Sequence, residues 1–144
     1  MDSNEDCIFC KIIKGEIPCS KIYENEKVLA FLDIGPVNKG HVIVIPKEHH
    51  ETVFVTPDDL LGEMMIVVKK IGTAVKSAFD ADFVNVLVYG LDVAHAHIHV
   101  IPRYHDDGIP VWPQGKYGDG EMQECAEKIV NFLKEWFLLM LLLS

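Results

Sequence analysis

Apolar residues fall into runs of two different periods along the chain, and the periods predict the elements. Residues 28–33 (Val-Leu-Ala-Phe-Leu-Asp) and 41–46 (His-Val-Ile-Val-Ile-Pro) are short β-rich stretches. Between them, Gly35-Pro36 and Asn38-Lys-Gly40 carry turn chemistry, so the two runs read as a hairpin. Thr56-Pro57-Asp58-Asp59 then offers an N-cap hydroxyl, a proline at the first helical position and an acid at the capping-box position. Leu60, Leu61, Met64, Met65, Val68, Ile71 and Val75 follow at helical spacing, which predicts a long helix. Residues 83–89 are β-branched and aromatic enough for a buried strand. Gly90 interrupts the pattern, and residues 94–102 supply a partner strand for a second hairpin. Past the Gly- and Pro-bearing stretch 108–120, Met122, Cys125, Ala126, Ile129, Leu133 and Trp136 recur at helical spacing. The expected class is α+β: an antiparallel sheet with two main helices.

No internal repeat or low-complexity linker divides the 144 residues, so one domain spanning 1–144 is expected. The 13 Lys and Arg against 22 Asp and Glu leave a net charge of −9, which argues against nucleic acid or an anionic membrane as partner. Any phosphate must be held locally, by backbone amides, helix ends or histidines. Residues 1–6 are polar and acidic and do not read as a signal peptide, so the cytoplasm is the default. There the four cysteines are thiols or metal ligands rather than disulfides. The apolar run 136–143, even with Phe132 and Leu133, is well short of the roughly 18 residues a spanning helix needs. It reads as a helix end buried in the core or in a subunit interface.

Candidate chemistry concentrates in His95-Ala-His97-Ile-His99-Val-Ile-Pro-Arg103. Period two in a strand puts the three imidazoles on one face at roughly 7 Å intervals, with Ala96, Ile98 and Val100 turned to the core. Packing does not explain such a row. Metal ligation is one use, and an imidazole nucleophile steadied by its neighbours is another. The di-metal pattern His-x-His-x-Asp-His would need a carboxylate where this chain has His99. A neutral imidazole, by contrast, attacks phosphorus near pH 7 without a metal. Cys7-x-x-Cys10 is spaced as a metal knuckle, and His49 or His50 with His95 would complete a Cys2His2 set, free thiols being the alternative.

His95-x-His97-x-His99-Val-Ile resembles the signature of the histidine triad (HIT) family. Three further segments resemble its Hint-like branch in the same order: Cys7-Ile-Phe-Cys10-Lys-Ile-Ile-Lys-Gly-Glu-Ile-Pro18, Ala30-Phe-Leu-Asp33-Ile-Gly-Pro36 and Lys39-Gly-His41-Val-Ile-Val-Ile-Pro46-Lys-Glu-His49. The likeness spans about residues 6–104, leaving 105–144 as a C-terminal loop and helix. It implies a HIT-like fold and a nucleotidyl-transferring hydrolase that acts at the α-phosphate of nucleoside phosphoramidates, adenylates or dinucleotide polyphosphates. A purine nucleotide would be the substrate and a homodimer the assembly.

Carried across, the resemblance makes His97 the nucleophile, with His99 and His95 completing the catalytic set. Asp33 would take the ribose hydroxyls, with Ile34, Gly90 and Asp92 also on the nucleotide. Phe9, Ile13, Ile17 and Phe31 would form a slot for the base, although by spacing alone they are core. The zinc ligands would be Cys7, Cys10, His49 and His95, so the resemblance prefers His49 to His50, and four protein ligands make such a zinc structural. Gly90-Leu91-Asp92-Val93-Ala94 departs from the family's usual Gly-Gln-Ser-Val. Asp92 stands where a small hydroxyl residue commonly meets the phosphate. A carboxylate there repels an anion unless it is protonated, turned away, or paired with Arg103 or Lys116, so the chemistry is expected to be attenuated or retuned. Trp112 is a candidate for stacking on a leaving group or for packing at an interface. The rival expectation is a zinc- and nucleotide-binding module without turnover.

Overall fold

A computed structural model describes residues 4–110 and 115–144, so Trp112 lies outside the described residues. The chain forms two compact units, Met1–Gly108 and Ile109–Ser144. The first holds α1 (Ile8–Ile13), β1 (Lys21–Glu24), β2 (Val28–Leu32), β3 (Val42–Pro46), a 3-10 turn (Val53–Val55), α2 (Asp58–Ala78), β4 (Phe83–Leu87) and β5 (Ile98–Arg103). The second is carried by α3 (Glu121–Leu143). The strands make one antiparallel sheet in the order β1-β2-β3-β5-β4, giving the expected α+β architecture.

The sheet is covered on both faces, and alternation along the strands sorts residues between two cores. Val28, Ala30, Val42, Val44, Ile98 and Val100 turn to the α2 face, where they pack with Met64, Val67, Val68, Ile71 and Val75. Leu29, Phe31, Ile43 and Ile45 turn to the other face and pack with Cys7, Phe9 and Cys10 around α1. Burial on both sides explains why β2 and β3 read as unbroken apolar runs. Ile43 pairs with His99 across β3 and β5, so the histidine row lies on the α1 face.

Five expectations change in detail. Helix α2 starts one position later than predicted: Pro57 is the N-cap, and the Thr56 hydroxyl donates to the Thr52 carbonyl at 2.9 Å. The capping chemistry was spent closing the preceding turn. On the same helix Val67 is buried while Met65 faces solvent. Strand β4, expected to be buried, is half-exposed because it is an edge strand. Residues 94–97 precede β5, which begins at Ile98, and Ala96 is tied in by its N–H to the His50 carbonyl at 2.7 Å. The period-two alternation nevertheless runs through them, since Ala96 joins Ile98 and Val100 in the α2-side core. The terminal apolar run is helical as expected, but α3 has no buried residue.

The turn between β2 and β3 needs its glycine. Gly40 has φ +95°, and a Cβ there would strike the Phe79 ring. Gly40→Ala is therefore expected to destabilise the fold by about 1–2 kcal/mol from the left-handed backbone alone. The readout is a lower urea midpoint at unchanged m-value, and an unchanged midpoint would contradict the strain argument.

Candidate active site

Each of the three triad histidines is held differently. The His97 ring is buried, and its Nδ1–H donates to the His95 carbonyl at 2.6 Å. A carbonyl can only accept, so that contact assigns the proton to Nδ1 and leaves the Nε2 lone pair free. His95 Nε2–H donates to the Pro46 carbonyl at 2.8 Å, which turns its Nδ1 lone pair toward Cys7, Cys10 and His49. His99 stands beside His97, with ring centroids 5.1 Å apart.

His41 completes the cluster, and the sequence reading gave it no role. The Val37 N–H donates to His41 Nδ1 at 3.1 Å, so the neutral His41 ring carries its proton on Nε2. That Nε2–H donates to His99 Nδ1 at 2.8 Å, which in turn leaves the His99 proton on Nε2. Asp33 Oδ2 lies 3.6 Å from His41 Nε2, while its other oxygen accepts the Gly35 N–H at 2.8 Å. A main-chain amide thus sets the tautomers of two rings in series. The signal was available in the predicted hairpin: His41 shares a face with Ile43 and Ile45, the face on which His99 also lies.

Burial lowers the pKa of three of these rings. His95 is pushed down to about 4, mainly by burial, with the Pro46 carbonyl opposing and His49, His97 and His50 reinforcing. His41 falls through burial against the pull of Asp33. His99 falls through burial and then through His41 and His97, while Asp33 and Asp92 oppose. Near neutral pH these three imidazoles are uncharged.

Of the other expected nucleotide contacts, Asp33 joins the cluster. Phe9 and Phe31 are core residues that meet edge-on at 5.6 Å, and Phe9 also stands edge-on to His97 at 5.3 Å. Ile13 and Ile17 line a separate hollow with Lys21 and Lys47. Ile34 and Leu91 are exposed, and so are Gly90 and Asp92 in the loop before the triad. Arg103 does not pair with Asp92. It is buried in a two-pronged contact with Asp107, Nε to Oδ2 at 2.7 Å and a terminal nitrogen to Oδ1 at 3.1 Å. Asp107 also accepts from Asn38 and from the Tyr104 amide, so this pair anchors the end of β5 to the turn that presents His41.

Four donors gather behind the triad. Cys7, Cys10, His49 and His95 place their ligand atoms all within 4.8 Å of one another. The sulfur–nitrogen separations are 3.4, 3.3 and 3.6 Å, and the two Nδ1 atoms are 3.1 Å apart. A zinc tetrahedron with bonds of about 2.0–2.3 Å has edges of roughly 3.3–3.8 Å, so the donor set fits that ion. His50 is turned away, its Nε2 3.1 Å from Glu48 Oε1. Without a cation, burial and then the Cys7 thiol raise the Cys10 pKa, and a bound metal would reverse that preference.

This arrangement has relatives. A family model, the HIT domain, matches residues 14–106, about two thirds of the chain. The chain belongs to the HIT family. The protein hit of Bacillus subtilis is 48% identical to this HIT protein over 142 residues, covering 92% of this chain and 98% of the relative. An adenosine 5'-monophosphoramidase of Schizosaccharomyces pombe is 38% identical over 135 residues, covering 89% and 98%. Among solved structures, a Streptococcus mutans protein superposes with TM-score 0.83 at 37% identity, covering 91% of this chain and 87% of that one. A Zn-bound histidine triad family protein from Mycobacterium smegmatis superposes with TM-score 0.69 at 33% identity, covering 77% and 84%.

The depressed histidines set a pH dependence for the metal-free HIT protein. A ring that is neutral when folded but titrates near 6.5 when unfolded lets the unfolded chain bind the extra proton. Stability is therefore full above about pH 6.5 and falls as pH drops toward 4, the folded value for His95. Urea midpoints of chelator-treated protein between pH 7.5 and 4.5 should decline accordingly, and a flat profile would mean that the rings protonate in the folded state.

Proposed function

We propose that this HIT protein hydrolyses nucleotides at the α-phosphate through a covalent nucleotidyl-histidine on His97. The observation that carries the reading is the His97 Nδ1–H bond to the His95 carbonyl, which leaves Nε2 as the nucleophilic atom of a neutral ring. In this mechanism Nε2 attacks phosphorus in line, a P–N bond forms and the bond to the leaving group breaks. Water then attacks the phosphorus from the opposite side, releasing a nucleoside monophosphate and restoring His97. His99, its Nδ1 occupied by His41, directs Nε2–H at a phosphate oxygen or the leaving group, where developing negative charge strengthens the bond.

In this reading Asp33, whose Oδ2 lies 3.6 Å from His41 Nε2, would accept ribose hydroxyls, and a purine nucleotide would be the substrate, with Phe9, Phe31, Ile34 and Gly90 contacting it. The phosphoramidase name of the S. pombe relative supports a P–N substrate. Asp92 bears on the same ring, since its carboxylate raises the His99 pKa against the larger lowering by burial, His41 and His97, and the proposed activity is accordingly attenuated or retuned. The binding-module alternative rests on the same residue, as a fixed negative charge in the loop that would meet the phosphate. Cys7, Cys10, His49 and His95 would hold zinc with no position left for substrate, so the ion's chemistry there is structural. It would tie α1 to the triad. Cysteines outside disulfides, two of them proposed as zinc ligands, suit a reducing compartment, and the cytoplasm is the proposed location.

Two measurements test this reading. Adenosine phosphoramidate mixed with the protein should release AMP and leave a transient nucleotidylated chain visible by intact mass. His97→Ala should lower the turnover by about 10³-fold or more and abolish the adduct. Substantial turnover in that variant would remove His97 as nucleophile, whereas bound nucleotide with no release from the unaltered protein would favour the binding module. Separately, chelation or Cys10→Ser should lower the melting temperature by several degrees while chain that is still folded keeps most of its turnover. Complete loss of activity at unchanged melting temperature would instead make the metal catalytic.

A further inference from the structure

Beyond Val100, the two sides of strand β5 are treated differently. Its ladder with β3 ends at the Val42–Val100 pair, whereas its ladder with β4 runs on to Phe83–Arg103. On the side that β3 has left, the side chain of Asn38, from the turn between β2 and β3, reaches across. Its amide nitrogen donates to the Pro102 carbonyl at 2.9 Å and to Asp107 Oδ2 at 3.2 Å, so both of its hydrogens are used. A carbonyl and an arginine-bound carboxylate can only accept, which assigns the nitrogen of the Asn38 amide, and not its oxygen, to this position. Asp107 is itself fixed. It receives Arg103 Nε at 2.7 Å, a terminal Arg103 nitrogen at 3.1 Å and the Tyr104 N–H at 3.1 Å. The Arg103 and Asp107 side chains are 3% and 7% exposed, so this charge-assisted fork is shielded from water and leaves the carboxylate one orientation.

The same turn holds His41. The Asn38 carbonyl accepts the His41 N–H at 3.1 Å, and the Val37 N–H, one residue earlier, donates to His41 Nδ1 at 3.1 Å. The main-chain amide that fixes the His41 proton therefore belongs to the residue that precedes Asn38. His41 Nε2–H then meets His99 Nδ1 at 2.8 Å. From the Arg103–Asp107 fork to the outer nitrogen of His99, every bond has one possible direction of donation. A shift of the 37–38 backbone would withdraw the amide from His41 and free both rings to turn.

We propose that Asn38 is a positioning residue for the His99 proton. Locked on Pro102 and Asp107, it keeps the Val37 amide against His41 Nδ1. Through His41 it keeps His99 Nδ1 occupied and the His99 proton on Nε2, the atom that meets the phosphate or leaving group in the proposed reaction. The effect on turnover rests on that proposed reaction, whereas the effect on the ring does not. Asn38 bonds to Pro102, Asp107 and His41 and not to the residues assigned to the nucleotide, so it acts on the chemical step and not on affinity.

Nitrogen NMR of the full chain with isotope-labelled histidine, near neutral pH, reads the ring directly, and turnover of adenosine phosphoramidate reads the consequence. In the unaltered protein the two His99 nitrogens should be well separated, one bare and one protonated. Asn38→Asp keeps the size of the side chain but turns an acceptor toward two acceptors, and Asp107→Asn keeps the shape while removing the charge that grips Arg103. In Asn38→Asp the His99 nitrogens should converge toward the average of exchanging tautomers. Its kcat should fall by about 10- to 100-fold, with KM within about twofold of the unaltered value. Asp107→Asn should change both in the same direction by less, and it carries the test should Asn38→Asp fail to fold. Val75→Ala, in the α2-side core, should lower the urea midpoint and leave the His99 nitrogens and kcat unchanged. Already averaged nitrogens in the unaltered protein overturn the inference, as do nitrogens that stay separated in both site variants. A fall in kcat matched by Val75→Ala overturns it too, because the role of Asn38 would then be merely structural. Converged nitrogens in a protein that never turns over uphold the positioning and overturn the catalytic reading instead.

Discussion

The hydrogen bond from His97 Nδ1–H to the His95 carbonyl ties the proposed nucleophile to the architecture, because its acceptor belongs to a buried residue whose own ring is bonded to the scaffold. His95 is fully buried, its ring held by the Pro46 carbonyl at the end of β3 and faced by two thiols and a third imidazole. One residue thus offers a candidate metal donor from its side chain and the tautomer control of its neighbour from its main chain. Displacing the His95 backbone would disturb the Cys7–Cys10 cage and the His97 ring together. A cage behind the triad therefore constrains the triad from the scaffold side, the way outer partners orient the groups in front of them.

A second amide-anchored chain runs in parallel. Val37 N–H, His41 and His99 form a series in which each donor determines the proton position of the next ring. Its origin is the turn after β2, and that turn is fastened to the end of β5 by Asn38, Asp107 and Arg103. Both chains end in the same condition, a ring with one nitrogen committed to the scaffold and the other directed outward. Burial keeps His95, His41 and His99 neutral, so their committed nitrogens stay committed near pH 7. Charged rings would lose that order, since an imidazolium donates from both nitrogens and has no lone pair with which to attack.

Much of this was legible in the amino-acid order. Turn chemistry at Gly35-Pro36 and Gly40 marked the β2–β3 hairpin, and the alternation through residues 95–100 assigned each side chain its face. What escaped detection had weak local patterns. Strand β1, Lys-Ile-Tyr-Glu, is largely exposed and carries no apolar alternation. Helix α1 has six residues and is capped by the Cys7 sulfur, which accepts the Cys10 N–H, rather than by an oxygen side chain. The edge position of β4 depends on how strands are ordered in space, and its apolar residues look the same whether one face or two is covered. His41 was hidden for a different reason. A lone histidine beginning an apolar run has no pattern of its own, and its meaning comes from a ring 58 residues away.

Asp92 shows how far a local departure can be interpreted once its surroundings are known. By charge alone it opposes an anionic substrate, and pairing with Arg103 would have neutralised it. Arg103 is instead committed to Asp107, and Asp92 acts on what is near it. Its effect on His99 is to favour the protonated ring, partly offsetting the burial, His41 and His97 that disfavour it. In the proposed reaction, repulsion of a phosphate and support for a proton donor beside it would pull in opposite directions. Both would grow as charge develops on the leaving group, so Asp92 would bear on the chemical step through two opposed differential effects.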